Sequence, residues 1–297
     1  MKPPRFSYLK PETVAEAVDF LGSHGAETKL LAGGQSLMPA LNMRLVRPQY
    51  LLDLNGIHEL DYVRYEKGRV TVGAMVRQDS LMHSDAIKEH WPLVPEALQW
   101  VGHSAIRYRG TLGGSLVHSD PAAELPAVMV TLGAEIIVRG SQGERKIMAE
   151  DFFETYFTTA ISSNEILVAV TAPAQPANSG SSVLEIARRH GDFALAGIVT
   201  LVEVAEGKVS AATITAFGLD EAPKRLGAAE AALTGQVPTP ELLGIAGEIV
   251  ADSVQPEDDI HATAAYRREM ASVLTGRSLS QSLERAGISV SPGEERQ

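Results

Sequence analysis

Two short stretches constrain this chain more than anything else in it: "LLAGGQSLMP" from Leu30 and "IRYRGTLGGSL" from Ile106. Each sets a Gly-Gly pair beside a hydroxyl-bearing residue, with apolar side chains leading in. Glycine lacks a Cβ, so its backbone can reach positive φ and approach a ligand closely. Successive N–H groups in such a turn can converge on an anion. Gln35 and Ser36 in the first stretch, and Thr111 and Ser115 in the second, add side-chain donors. A helix starting in "SLMPALNM" would add a favourable N-terminal field. Arg107 and Arg109 put a local positive patch before the second stretch. A single Gly-Gly pair is most often a tight turn. Two in the same context suggest a grip on a diphosphate from both sides. Neither is a G-x-G-x-x-G or G-x-x-x-x-G-K-[ST] motif, so neither a Rossmann nor a Walker site is supported.

The rest of the composition narrows the class. With 297 residues, the chain has room for one large domain or two to three modest ones. Apolar residues make up 44%, enough for a packed core. A net charge of −11 argues against nucleic-acid and anionic-membrane partners. There is no cysteine, so this chain offers no disulfide, catalytic thiol or thiolate cluster site. Its eight histidines are scattered, with no H-E-x-x-H, and no G-x-S-x-G turn occurs. "MKPPRFSYLKPE" has no apolar signal core, and the run "VMVTLGAEIIV" contains Glu135 and is too short to cross a bilayer. The expectation is a soluble, cytoplasmic protein.

Periodicity gives a coarse element order. Val14, Ala17, Val18 and Leu21 recur at helical spacing, with Gly22 and Gly25 as stop signals. "TKLLA" and "YLLDL" read as strands around the first glycine pair, making a small α/β lobe at 1–56. A second lobe at 57–176 holds strands at "RVTVGAMV", "AEIIVRG" and "EILVAVTAP". Its helices are expected in "QDSLMHSDAIKEH", N-capped by Asp79 or Ser80, in "PLVPEALQWVGH" after Pro95, and in "AAELPAVMVTLGA". Gly110–Gly114 reads as a polar turn. "PAQPANSGSS" is the linker candidate. Strands followed by helices then suggest an α+β domain at 177–285 with an antiparallel sheet, and a disordered tail at 286–297.

Taken together, these segments carry a family resemblance. "LLAGGQSLMP", "RLVRPQYLLDL", "IRYRGTLGGSLVHSDPAAELP", "EILVAV" and "RRHGDFALA" resemble, in order and spacing, the FAD-binding medium subunit of molybdenum hydroxylases. That group includes carbon monoxide dehydrogenase and xanthine dehydrogenase, and the similarity runs nearly end to end. The fold it implies is α+β: a two-lobed FAD-binding domain of the vanillyl-alcohol-oxidase type, then a C-terminal α+β domain. It implies that Ala32, Gly33, Gly34, Gln35 and Ser36, with Leu30, Leu31 and Leu37, form one FAD loop. Thr111, Gly113, Gly114 and Ser115 would form the other. Val101 and Gly102 would lie along the cofactor, Leu167 near the adenine, and Glu124 and Phe193 near the flavin ring. The chain departs from the commonest pattern at four positions. Glu124 replaces an aspartate, Ser115 a frequent asparagine, Phe193 a frequent tyrosine, and Glu185 a frequent lysine.

The resemblance further implies an electron relay. It implies that FAD would be held noncovalently here, while molybdopterin and [2Fe-2S] clusters would belong to a large and a small partner subunit, assembled as a dimer of heterotrimers. The missing cysteines agree with clusters held elsewhere. Two rivals stay open: a self-contained flavin oxidase, and a non-enzymatic nucleotide-binding module. Other residues read as structural. His103 and His118 suit capping or surface roles, Asp120 a local turn, Trp91 and Trp100 core or interface, Arg188-Arg189 solvent, and Tyr266–Arg268 a contacting helix face.

Overall fold

The computed structural model describes residues 2–290. Its first sheet comes from β1 (Ser7–Leu9), β2 (Thr28–Leu31) and β3 (Tyr50–Asp53), all parallel in the order β1-β3-β2. Helix α1 (Val14–His24) crosses between β1 and β2. It starts where the Thr13 hydroxyl accepts the Glu16 N–H at 3.2 Å, and it buries the expected stripe of Val14, Ala17, Val18 and Leu21. Short α2 (Leu37–Asn42) follows the first glycine pair.

The second sheet is antiparallel. Its strands are β4 (Val63–Glu66), β5 (Arg69–Gly73), β6 (Glu135–Gly140), β7 (Gly143–Met148) and the later β10 (Ile166–Pro173), in the order β4-β5-β10-β6-β7. Between β5 and β6 run α3 (Gln78–His83), α4 (Asp85–His90), α5 (Leu93–Leu98), α6 (Ser104–Arg107), α7 (Leu112–His118) and α8 (Glu124–Thr131). After β7 come α9 (Ala149–Phe152) and a small hairpin, β8 (Phe153–Thr155) with β9 (Thr158–Thr159). Strand β10 is buried from Ile166 to Ala172 because both its faces are covered. Ile166 and Val168 pack with α1, while Leu167, Val170 and Ala172 join the larger core on the helix side. This two-sided burial explains a continuous apolar run where alternation would mark a one-sided strand.

The C-terminal region has β11 (Ser179–Ile186), β12 (Ala196–Ala205), β13 (Lys208–Phe217) and β14 (Lys224–Arg225) in one antiparallel sheet. Helices α10 (Gly227–Leu233), α11 (Pro240–Ser253) and α12 (Ala264–Arg285) cover one face, and α8 lies on the other through Thr131, whose hydroxyl bonds that of Thr215 at 2.9 Å. Small side chains let α12 approach closely. The Thr200 hydroxyl meets Ser278 at 2.7 Å and Ser282 at 2.6 Å.

Several expectations need correcting. Helix α3 begins at Gln78 with Arg77 in the cap position, so neither Asp79 nor Ser80 caps it. The break comes at Ser84, whose hydroxyl caps α4 by accepting the Ile87 N–H. Helix α5 starts at Leu93, two residues before Pro95. The supposed polar turn at Gly110–Gly114 runs instead into α7, with both glycines of the pair inside its first turn. Only residues 174–178 of the linker candidate lie outside strands, and Ala174 and Gln175 are bonded to Gly68 and His90. At the C-terminus, Ala286, Gly287 and Ile288 bond back to α12 and Val290 packs on the core, so the tail is in place to that point. The remainder of that expectation, from Ser291, lies outside the described residues.

One contact predicts a stability effect. A Cβ on Gly180 would run into the Ser282 carbonyl oxygen and stand 2.6 Å from the Ala286 amide. Gly180→Ala is expected to destabilise the protein by about 1–3 kcal/mol, as overpacking of backbone against backbone does. Urea unfolding of the two proteins side by side measures it; equal midpoints would contradict this packing.

Candidate functional site

The two glycine stretches meet. A Cβ on Gly33 would strike the Arg109 carbonyl and stand 2.8 Å from the Gly110 Cα, so only glycine allows the two backbones to touch here. A polar chain ties the junction. Asn55 Nδ2 donates to the Ala32 carbonyl at 3.0 Å, Arg77 donates to Asn55 Oδ1, and its other terminal nitrogen donates to the Arg109 carbonyl. Asp53, at the end of β3, accepts from the Tyr8 hydroxyl at 2.6 Å and from Asn55. Burial raises the Asp53 carboxyl, but the bonds from Tyr8 and Asn55 outweigh it and hold it below its ordinary value. Neither Asn55 nor Arg77 belongs to a local pattern, so periodicity and motif reading pass over both.

The two stretches contribute differently. In the first, the amides of Gly33, Gly34, Gln35, Ser36 and Leu37 donate to no other protein atom among the described residues. Gly34 is held at φ 74°, and Gln35 folds its side chain back onto the Gly33 carbonyl at 3.0 Å. Ser36 is exposed, at the cap position of α2. In the second, the opening amides of α7 are already used. Leu112 bonds to Val76 at 3.1 Å, Gly113 to Ala74 at 2.9 Å, and Ser115 to Thr111 at 3.2 Å. Gly114 bonds to the Thr111 hydroxyl at 3.0 Å. The expectation of convergent amides from both stretches is therefore corrected: one supplies free N–H groups, while the other uses its own and lays Gly114 beside Ala32. Gly113 is small because Ala74 fills the space, with its Cβ and carbonyl 2.8 Å from where a Gly113 Cβ would stand. The Ala32 Cβ lies 3.5 Å from the corresponding point at Gly114. An anionic bridge fits such unpaired amides.

The other sequence candidates distribute around this junction. Leu30, Leu31, Leu37 and Ser115 are half-buried beside the glycines. Val101 and Gly102 follow α5, and Arg107 donates to their carbonyls at 2.7 and 3.2 Å. Arg107 is thus spent on its own loop, and the expected positive patch reduces to exposed Arg109. The C-terminal domain reaches over this loop: Gly191 packs on Gly102, and His190 stacks on Trp100 with centroids 5.5 Å apart. Leu167 is buried in β10 in register with Val138. Phe193 is 72% exposed, on the rim of a cavity of about 340 Å³ that Asp120, Tyr156, Leu195 and Arg267 also line. Asp120 makes the local turn expected of it, accepting the Ala122 N–H at 3.0 Å.

Glu124 opens α8 and is 8% exposed. Burial, with the field of Asp120 added, pushes its carboxyl up to about 7. Glu185 on β11 is raised further, to about 8, by burial and then by the charge of Glu124.

Known proteins match this arrangement along its length. Residues 4–175 match the FAD binding domain in molybdopterin dehydrogenase, and residues 182–282 the CO dehydrogenase flavoprotein C-terminal domain. The chain belongs to this family of FAD-binding medium subunits of molybdenum hydroxylases, and is an oxidoreductase subunit. The 6-hydroxypseudooxynicotine dehydrogenase complex subunit alpha of Paenarthrobacter nicotinovorans is 37% identical, over 96% of this chain and 97% of that one. Among solved structures, carbon monoxide dehydrogenase from Hydrogenophaga pseudoflava superposes with a TM-score of 0.94 at 35% identity, covering 96% of this chain and 99% of its counterpart. Quinoline 2-oxidoreductase from Pseudomonas putida 86 gives 0.91 at 35% identity, with 97% and 99% covered. The two-lobed FAD-binding fold and C-terminal domain expected from sequence are thus borne out.

The Thr111 cap generates a measurable expectation. Thr111→Ala leaves the Gly114 amide without its acceptor and should cost about 1 kcal/mol, within the usual range for a lost N-cap. Denaturant unfolding reads this directly, and a change within error of zero would show that the cap contributes nothing.

Proposed function

We propose that this chain is the electron-relay subunit of a molybdenum hydroxylase. It holds FAD noncovalently between a first lobe at 1–56 and a second at 57–176, with the domain at 177–285 closing over the ring end. The observation that carries this reading is the run of unpaired amides at Gly33–Leu37, next to a turn of α7 whose Gly114 lies against Ala32. The Ala32–Ser36 loop would take the pyrophosphate through its amides, with Ser36 and Ser115 adding hydroxyls. Leu30, Leu31 and Leu37 would exclude water on one side, and Val101, Gly102, Thr111, Gly113 and Gly114 would form the opposite wall. Leu167 would line the adenine end from β10. Glu124 and Phe193 would border the ring.

Bound FAD supplies the redox chemistry, and the protein positions it and shapes its electrostatics. Cysteine is absent from the chain, so iron–sulfur clusters that feed electrons to it belong to a small partner subunit. Substrate oxidation belongs to a large subunit with the molybdenum cofactor, in a dimer of heterotrimers. Among the described residues no helix is long and apolar enough to cross a membrane. The acidic net charge of −11 disfavours a nucleic-acid partner.

Substitution at the loop tests the reading without touching the core. Val at both Gly113 and Gly114 is a poor probe, since Gly113 abuts Ala74 and would disturb packing. Ser36→Asp is cleaner: Ser36 is exposed, and aspartate is a good helix N-cap. The added charge should weaken FAD binding by about tenfold or more while the melting temperature stays put. Flavin fluorescence titration measures the affinity; unchanged binding would remove the pyrophosphate from this loop. Co-expression with its neighbouring genes should yield a yellow complex containing iron, molybdenum and two further polypeptides. Isolation as a colourless single chain under those conditions would contradict the assignment.

A further inference from the structure

The two glycine stretches are joined by a third segment, residues 74–78, which runs from β5 into α3. Its backbone is laid against the second stretch. The Ala74 carbonyl accepts the Gly113 N–H at 2.9 Å, the Val76 carbonyl accepts the Leu112 N–H at 3.1 Å, and the Gln78 N–H donates to the Gly110 carbonyl at 2.9 Å. Arg77 stands opposite Thr111 as an isolated antiparallel bridge. The same segment is fixed on its other side. Ala74 donates to the Val168 carbonyl at 3.0 Å and Met75 to the Leu60 carbonyl at 2.9 Å, and the Met75 side chain belongs to the apolar cluster of α1.

Arg77 carries the connection to the first stretch through its side chain. One terminal nitrogen donates to the Arg109 carbonyl and the other to Asn55 Oδ1. Asn55 Nδ2 donates to the Ala32 carbonyl at 3.0 Å and also to Asp53 Oδ1. A cation on its oxygen and a carboxylate on its nitrogen leave the Asn55 amide one orientation, the one that points a donor at Ala32. Ala32 immediately precedes Gly33, whose backbone rests on the Arg109–Gly110 peptide, and the unpaired amides begin there. Arg77 therefore grips both sides of the junction at once: directly at Arg109, and through one amide at Ala32.

We infer that Arg77 and Asn55 are positioning residues: they set the separation of the two glycine stretches and hold the amides of residues 33–37 in the arrangement that receives an anionic bridge. Without Asn55, the Ala32 carbonyl loses this donor. Without Arg77, the Asn55 amide loses the partner that orients it, and the Arg109 carbonyl loses a donor as well. The fork of a guanidinium spans two acceptors in fixed geometry, which the point charge of a lysine does not reproduce. The identity of the anionic bridge as the FAD pyrophosphate rests on the function proposed above; the positioning of the loop does not.

The test runs on the full chain in two arms. In the first, FAD is absent and backbone amide resonances are compared by NMR. Arg77→Gln should displace the resonances of residues 33–37, while Gly180→Ala, which strains the distant α12 contact, leaves them in place. Asn55→Ala is read the same way and serves alone if Arg77→Gln does not fold. Unmoved loop resonances, or equal movement in Gly180→Ala, overturn the positioning role. In the second arm, FAD affinity is titrated by flavin fluorescence. Asn55→Ala and Arg77→Gln should each weaken binding by about tenfold, and the double variant by little more than either alone, because both act through one chain of bonds. Arg77→Lys keeps the charge but not the fork and should not restore affinity. Full affinity in Arg77→Lys would reduce Arg77 to a charge near the ligand, and additive losses in the double variant would uncouple it from Asn55; either result overturns the proposal. Displaced loop resonances in the variants of a chain that binds no FAD uphold the positioning role and sink the flavin reading alone.

Discussion

The architecture depends on two backbones that cross with nothing between them. Gly33 rests on the Arg109–Gly110 peptide, and this contact brings the end of the first parallel sheet onto the approach to α7. Close approach alone would leave carbonyls at Ala32 and Arg109 short of donors. Asn55 and Arg77 answer both, in a chain that also reaches Asp53 and Tyr8. The peptides on the near side of the junction are satisfied by side chains, and the Gly33–Leu37 amides are left free. A ligand that brings its own acceptor oxygens completes the hydrogen bonding.

Much of this was legible from the sequence where one segment carried its own signal. The α1 stripe, the β2 and β3 runs and the paired glycines were such cases, and so was the apolar run of α8. The failures share a cause. The sequence of α7 reads as a turn because two adjacent glycines are poor helix formers. It forms because Thr111 caps it and Ala74 and Val76 accept its first amides, contacts supplied by distant chain. Strands β1, β4 and β7 carry no signal in the sequence because they are short or exposed and show no alternation. Asn55 and Arg77 are polar residues in unremarkable contexts, and only the meeting of the lobes gives them partners.

The C-terminal domain is less separable than a proline-rich connection suggested. Val183, Ala194, Val199 and Phe217 belong to the same apolar cluster as the helices of the second lobe. Burial of α8 on all sides, from Leu125 to Thr131, follows from its place between α5 and the third sheet. That continuity has a functional consequence. Loop residues His190 and Gly191 are laid on Trp100 and Gly102 by a domain that cannot shift without opening a shared core. The position of this loop over Trp100 and Gly102 is therefore set by packing rather than by a free lid.

The same packing explains why an unpaired acid is tolerated at Glu185. A buried carboxylate is costly, and the protein lowers that cost by keeping a proton rather than by recruiting a cation. Replacing the acid by a valine would suit the surrounding Val183, Val199 and Phe217 better, so stability does not account for the glutamate. What a carboxyl offers and a valine lacks is a polar group, able to donate when protonated and accept when not.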